Sequence, residues 1–294
     1  MSEIETRASR NAKVADRQSR TPSFSESIRQ AIFVPRPEMF WIVQGGGLLA
    51  VVWALGFGQV AAGWWLLALV AYFASSCLGI SITFHRALTH KSFKMAPALE
   101  KLCSFFGAMG ATGSPLGWIA VHRTHHATAD THDDPHSPDY MGWRILYTGP
   151  DPIFDWWRVR DLLRDPFQRL LHRYYLLVVV GWAAALFAIH PLAMVFGFLI
   201  PGAAQITITN LSTILGHGWG YRNFDTRDHS TNNFLISLLT WGDGWHNNHH
   251  ASPSSWTLRT RFWELDPAAW VIRLMVALGG IDRQSFAVNS PYQT

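Results

Sequence analysis

Residues 39–84 read MFWIVQGGGLLAVVWALGFGQVAAGWWLLALVAYFASSCLGISITF, 46 positions without one Asp, Glu, Lys or Arg, and they run straight into His85-Arg-Ala-Leu-Thr-His90. A bilayer span takes about 20 apolar residues. The block therefore holds two spans and a tight turn, and Gly56-Phe57-Gly58-Gln59 supplies the turn. A second block, residues 174–221, is uncharged over 48 positions and broken at His190-Pro191. The two blocks predict an all-α membrane protein with four transmembrane helices in two hairpins, at about 39–57, 61–84, 174–190 and 192–216.

The charges outside the blocks fit this map. Seven Lys and Arg precede the first block, eleven lie between the blocks, six follow the second, and neither short turn holds any. Positive charge is retained on the cytoplasmic side, so both termini and the central region are expected there, with a bacterial cytoplasmic membrane as the expected location. Residues 1–30 are polar and mixed in charge, and are expected to form a disordered tail. Residues 31–294 are expected to form the integral-membrane domain.

Only 15% of the 294 residues are charged, against about 25% in soluble domains. The 15 Trp suit wide membrane interfaces. Two cysteines, Cys77 and Cys103, exclude a disulfide-stapled scaffold. The net charge of +4, without a dense basic tract, makes a nucleic-acid reading weak, and no nucleic-acid partner is expected.

Two further segments are apolar. Residues 102–121 lack charge but contain Gly107, Gly110, Gly113, Pro115 and Gly117. They predict a broken, re-entrant or interfacial element instead of a fifth span. Residues 268–281, interrupted by Arg273, predict an amphipathic helix against the membrane or the cytosolic cap.

The 14 histidines need a chemical reason. Three clusters stand out: His85 with His90, His122-Arg-Thr-His125-His126, and His246-Asn-Asn-His249-His250. On an α-helix, positions i, i+3 and i+4 share one face, so each HxxHH cluster projects three imidazoles in one direction. His85 and His90 stand about 140° apart on an ideal helix. They converge only if metal sits between them or the helix end is irregular. His217 ends the second block and is a ninth candidate. With two hairpins all nine reach one membrane edge; were residues 102–121 to cross, the first two clusters would face opposite sides. Neutral imidazole ligates Fe, Zn, Cu or Ni. Eight or nine nitrogens exceed one ion's needs, and two ions with four or five ligands each fit the count. Open positions point to catalysis, and an apolar, membrane-edge site favours iron and O2. His132, His136, His172, His190 and His229 are expected to be surface or supporting groups.

HRALTH, HRTHH and HNNHH, in this order relative to the spans, resemble the three histidine boxes of the membrane fatty acyl desaturases, in particular the stearoyl-CoA (Δ9) desaturase-like branch. Asp130-Thr-His-Asp-Asp-Pro-His-Ser-Pro138, Gly216-His217-Gly-Trp-Gly-Tyr-Arg222 and Gly242-Asp-Gly-Trp-His-Asn-Asn-His-His250 resemble that family's flanking segments. The likeness runs over about residues 35–280. It implies a four-span stem with a cytosolic helical cap and a bent acyl tunnel. It also implies a di-iron centre (two Fe2+) held by His85, His90, His122, His125, His126, His217, His246, His249 and His250. The implied reaction is O2-dependent insertion of a cis double bond into a saturated fatty acyl chain, with loss of two hydrogens to water. The acyl chain would be carried by CoA, a carrier protein or a lipid. No electron-carrier motif is visible, so a separate ferredoxin-like or cytochrome b5-like donor is implied. Trp118, Trp241 and Trp245 are candidates to line or support the tunnel.

Two departures from the animal enzymes stand out. Their Asn near the extra His is Thr213 here, with Asn210 one turn away. Charges flanking their second box are Ala120-Val121 and Asp139-Tyr140 here, which weakens the case for a CoA head group. A related di-iron hydroxylase or ketolase of lipids, alkanes or carotenoids is the neighbouring alternative. A metal transporter or haem-carrying protein would instead place its ligands at mid-membrane depth.

Overall fold

Several helices begin where a capping side chain precedes proline or an apolar run. The computed structural model describes residues 37–58, 60–150 and 156–288; the expected tail at 1–30 and Gln59 of the first turn lie outside them. α1 is Pro37–Gly56. It ends in the predicted turn, where the Phe57 and Gly58 N–H groups both donate to the Trp53 carbonyl. α2, Ala62–Thr89, is α-helical to Tyr72 and π-helical from Phe73 to Thr89. The predicted span at 61–84 is thus extended. The first box lies within the helix and at its cap, not after it.

Residues 102–121 are broken, as their glycines predict. α3, Pro97–Met109, is separated from α4, Pro115–Thr128, by a bend that includes Ala111 and Gly113 at positive φ. Ser114 caps α4, accepting from Gly117 N, and Pro115 opens it. α3 packs along the π-helical half of α2 at a crossing only glycine permits. A Cβ on Gly79 would lie 2.2 Å from the Gly107 nitrogen.

Short helical turns follow α4. α5, Pro166–Arg173, is capped by Asp165, and α6 is Tyr175–Ile189. The two meet at 71°. α6 stops where His190 turns extended, caps Leu192 N and hands over to Pro191. α7, Pro191–Gly218, carries a π-helical stretch at Val195–Leu199. α8 (Phe234–Leu239), α9 (His246–Ala251), α10 (Pro267–Ala277) and α11 (Arg283–Val288) follow. A helix does form in the segment predicted at 268–281, but it stops at Ala277 and is not amphipathic: Ala268, Ala269 and Ile272 are buried, and the exposed Trp270 and Leu274 are apolar too, with Arg273 its one charge. Among the described residues the β-pairing is confined to isolated bridges.

Helices occupy all four predicted span positions, but among the described residues only α2 and α7 are both long and apolar enough to cross a membrane. α5 with α6 would make a third if the bent pair counts as one span, and α1 is a shorter apolar helix. The difference has a local cause. α6 is limited to 15 residues by the bend before it and the proline after it. Both shorter helices nonetheless face outward with apolar side chains, Ile42, Leu49, Val52 and Leu55 on α1 and Leu177, Val180 and Phe187 on α6. Water penalises such surfaces by about 25 cal/mol per Å2, and contiguous ones mark membrane or partner contact.

Candidate metal centre

Each histidine box sits on an element fixed by its own local chemistry. The π-helical turn resolves the geometry of the first. Its i to i+5 bonding is seen in the His90 N–H donating to the His85 carbonyl at 3.2 Å. The Thr83 and Thr89 hydroxyls reinforce it, donating to the carbonyls of Leu78 and Phe84, each five residues back. Positions five apart then share a face, and the two rings lie 5.0 Å apart. This is the irregular helix end that the sequence left as one of two options.

The third box stands on α9, six residues long, too short to be stable alone. The two asparagines between its histidines hold it. Asn247 accepts from Asn223 N and Phe224 N, and Asn248 donates to the Leu258 carbonyl and the buried Glu264.

The nine predicted histidines come together, in two groups. His85, His90, His122, His126 and His249 form one; His125, His217, His246 and His250 form the other. In each, one nitrogen per ring lies within 4.8 Å of all the others. The HxxHH boxes do not each aim at one point, which corrects the single-direction expectation. The i, i+4 pair of the second box joins the five-histidine group and its middle His125 joins the other. The third box does the reverse. Two boxes on facing helices therefore interlock across both groups.

The nitrogen spacings suit metal. Facing Nε2 atoms are 3.0 Å apart for His85 and His249, 2.9 Å for His126 and His249, and 3.2 Å for His122 and His126. In the other group they are 2.9 Å for His217 and His246 and 3.3 Å for His125 and His250. Nitrogens about 2.1 Å from a common ion stand about 3.0–3.4 Å apart. Proton placement sharpens the point. His125 Nδ1 lies 2.9 Å from Asp134 Oδ2 and His250 Nδ1 lies 2.7 Å from Asp228 Oδ2. Each Nδ1 proton, assigned from these partners, is donated to a carboxylate. Their Nε2 atoms then face each other with lone pairs only, an arrangement that asks for a cation between them. Burial, reinforced by neighbouring imidazoles, holds His90, His122, His125, His126, His246 and His249 well below the ordinary histidine value. The rings are thus kept in the neutral form that ligates metal.

Carboxylates that sequence reasoning missed orient the ligands. Besides Asp134 and Asp228, Asp130 lies 3.0 Å from His217 Nδ1. Asp130 sits just past α4 at φ +59°, a backbone state Asp tolerates. Asp243 lies 3.3 Å from His85 Nδ1 and is also bonded to Arg86. Arg86, fully buried, donates as well to Asp266 and the Trp256 carbonyl. It thereby ties the first box to the segments flanking the third. Gly242 makes room: a Cβ there would lie 2.3 Å from Asp266 Oδ1. Asp130 and Asp134 stood in a quoted motif and Asp243 three residues before His246. For Asp228 no sequence signal exists.

The remaining candidates sort as follows. His136, expected to be a surface or supporting group, stacks on His125 at 4.3 Å, and burial lowers it to about 3. His172 pairs with Ser114, His190 caps α7, and His229 meets Asp139 at the surface. Trp118 stacks on His122 at 5.0 Å, Trp245 is core, and Trp241 packs edge-on against Phe73. Thr213 bonds its own helix at Thr209 O, whereas the buried Asn210 amide nitrogen has no protein partner.

Comparison with known proteins bears on this geometry. A family model described as fatty acid desaturase matches residues 62–284. The chain belongs to the fatty acid desaturase family. It is 35% identical over 220 residues to a chloroplastic palmitoyl-monogalactosyldiacylglycerol delta-7 desaturase of Arabidopsis thaliana, covering 71% of this chain and 58% of that protein. To an sn-2 palmitoyl-lipid 9-desaturase of Nostoc sp. (strain 36) it is 35% identical over 227 residues, covering 74% and 78%. To an acyl-CoA 5-desaturase of Anemone leveillei it is 33% identical over 259 residues, covering 82% and 78%. The family places it among the oxidoreductases of lipid metabolism, with acyl-lipid and acyl-CoA desaturases as relatives.

Proposed function

We propose that this desaturase inserts a cis double bond, at Δ9, into a saturated acyl chain carried as a thioester or lipid ester. The reaction would consume O2 and use a di-iron centre held by the nine histidines. One observation carries the reading: nine imidazoles divide into a group of five and a group of four, each tight enough for one ion. Iron bound there supplies O2 activation and the removal of two hydrogens, with electrons from a separate ferredoxin-like or cytochrome b5-like donor.

The chain's own residues do the rest. Asp130, Asp134 and Asp228 fix which nitrogen of His217, His125 and His250 faces the metal. Arg86 and the box asparagines hold the ligand-bearing elements in register. Burial of His85, His125 and His249 at 4%, 0% and 1% exposure keeps bulk water from the site. We also propose that α1, α2, α6 and α7 form a four-span stem with the cluster at its cytoplasmic rim. The outward apolar faces of α1 and α6 support this, as does the meeting of the C-terminal ends of α2 and α7 at the cluster.

The test is expression in a host lacking unsaturated fatty acids, with gas chromatography and mass spectrometry of its lipids. A monounsaturated product two hydrogens lighter than its precursor, with the bond at C9, is the expected result. A product that gains oxygen would turn the reading to a hydroxylase; a bond elsewhere would overturn the regiochemistry alone.

A further inference from the structure

The two histidine groups differ in what stands behind them. In the group of four, three rings are backed by carboxylates at hydrogen-bond distance: His125 by Asp134 at 2.9 Å, His217 by Asp130 at 3.0 Å and His250 by Asp228 at 2.7 Å. These carboxylates take their other bonds from neutral donors. Asp134 accepts from the backbone of Asp130 and His136, Asp130 from the backbone of His229, and Asp228 from Thr226 and Ser230. These bonds bring no Lys or Arg side chain against them.

The group of five is different. Its nearest backing carboxylate is Asp243, 3.3 Å from His85 Nδ1, and Asp243 is already paired with the Arg86 guanidinium at 3.0 Å. The Nδ1 of His249 is buried without a hydrogen-bond partner.

A carboxylate behind an imidazole raises its basicity and fixes its orientation, and removing such a partner typically costs about 10–100-fold in metal affinity. Three such partners against one already neutralised outweigh a single extra imidazole. We propose that the two metal positions are inequivalent, and that the four-histidine position, backed by Asp130, Asp134 and Asp228, binds its divalent ion first and more tightly. These aspartates are positioning residues that act through His217, His125 and His250. The inference rests on the metal-centre reading above and adds an order of filling and the residues that set it.

The test is anaerobic titration of the full-length, metal-stripped protein in detergent with Co2+, followed by visible absorption and by metal content after desalting. Two successive binding classes are expected. In Asp228→Asn and Asp130→Asn the tighter class should weaken by about 10–100-fold while the weaker class stays where it was. Asp228→Glu, which keeps the charge, should recover part of the loss. Loading with one equivalent of 57Fe2+ should give one Mössbauer doublet, and Asp228→Asn should alter that doublet and not the one added by the second equivalent. Two equivalents bound with equal affinity, or a variant that weakens only the looser class, would overturn the inequivalence and leave the metal centre standing. A protein that retains neither ion would overturn both. If Asp228→Asn fails to fold, the Asp130→Asn titration decides alone.

Discussion

α2 and α7 are both 28-residue apolar helices that end in the histidine cluster, yet they deliver their ligands differently. α2 gives up α-helical geometry for its last 17 residues and contributes two rings five positions apart. α7 confines its π-helical turns to five residues near its start and contributes one ring, His217, from an ordinary α-helical end. Ligand number accounts for the difference. A single imidazole can leave any face of a helix, but two at i and i+5 meet only if the helix is wound wider. That widening weakens the backbone bonding, and threonine hydroxyls, the Gly79–Gly107 crossing and the Arg86 ion network surround it. At the tip of α7, by contrast, a Cβ on Gly218 would meet open space.

The largest expected effect separates the two ends by the metal each loses. His85→Ala on α2 should remove desaturation and deplete the five-histidine group, and His217→Ala on α7 should remove desaturation and deplete the four-histidine group. Metal analysis of the purified variants checks this, and full metal content in either would break the assignment. Next is Arg86→Met. It leaves the buried Asp266 and the partly exposed Asp243 without their cation, which costs about 3–5 kcal/mol. Thermal unfolding in detergent should register the loss, and no comparable residue stands at the end of α7.

Gly79→Ala should cost about 1–3 kcal/mol by overpacking, since its Cβ would meet the Gly107 backbone. The matching change on α7, Gly218→Ala, meets open space and should stay within about 0.5 kcal/mol. Equal losses from the two glycines would erase the contrast. The smallest effect expected on α2 is Thr89→Val. It removes a hydroxyl bond to the Phe84 carbonyl, worth about 1 kcal/mol, and should show as faster amide exchange at His90.

Much of this was legible in the chain. Charge-free blocks mark where helices must avoid water, because no partner within a short helix can compensate a charge in lipid. His190-Pro191, Ser114-Pro115 and Asp165-Pro166 mark helix starts, because a cap and a missing N–H act locally. The crowding of residues 102–121 with glycine announced a break. The four-helix placement was legible too, whereas the length of α6 was not. Its bend from α5 is set at Tyr174, where nothing in the local sequence forbids continuation.

The sequence by itself determined which nine imidazoles are available and that they gather at one end of the apolar helices, since spacing and charge exclusion are properties of the chain. Only the tertiary structure decided how they divide. His125 and His249 each cross over to the group opposite their own box neighbours, because two facing helices interlock there. Asp228, 22 residues before His250 in the chain, reaches it because the loop from Tyr221 to Asn232 folds back on α9. Such pairings depend on where separate elements meet in space, which no periodicity along one element encodes.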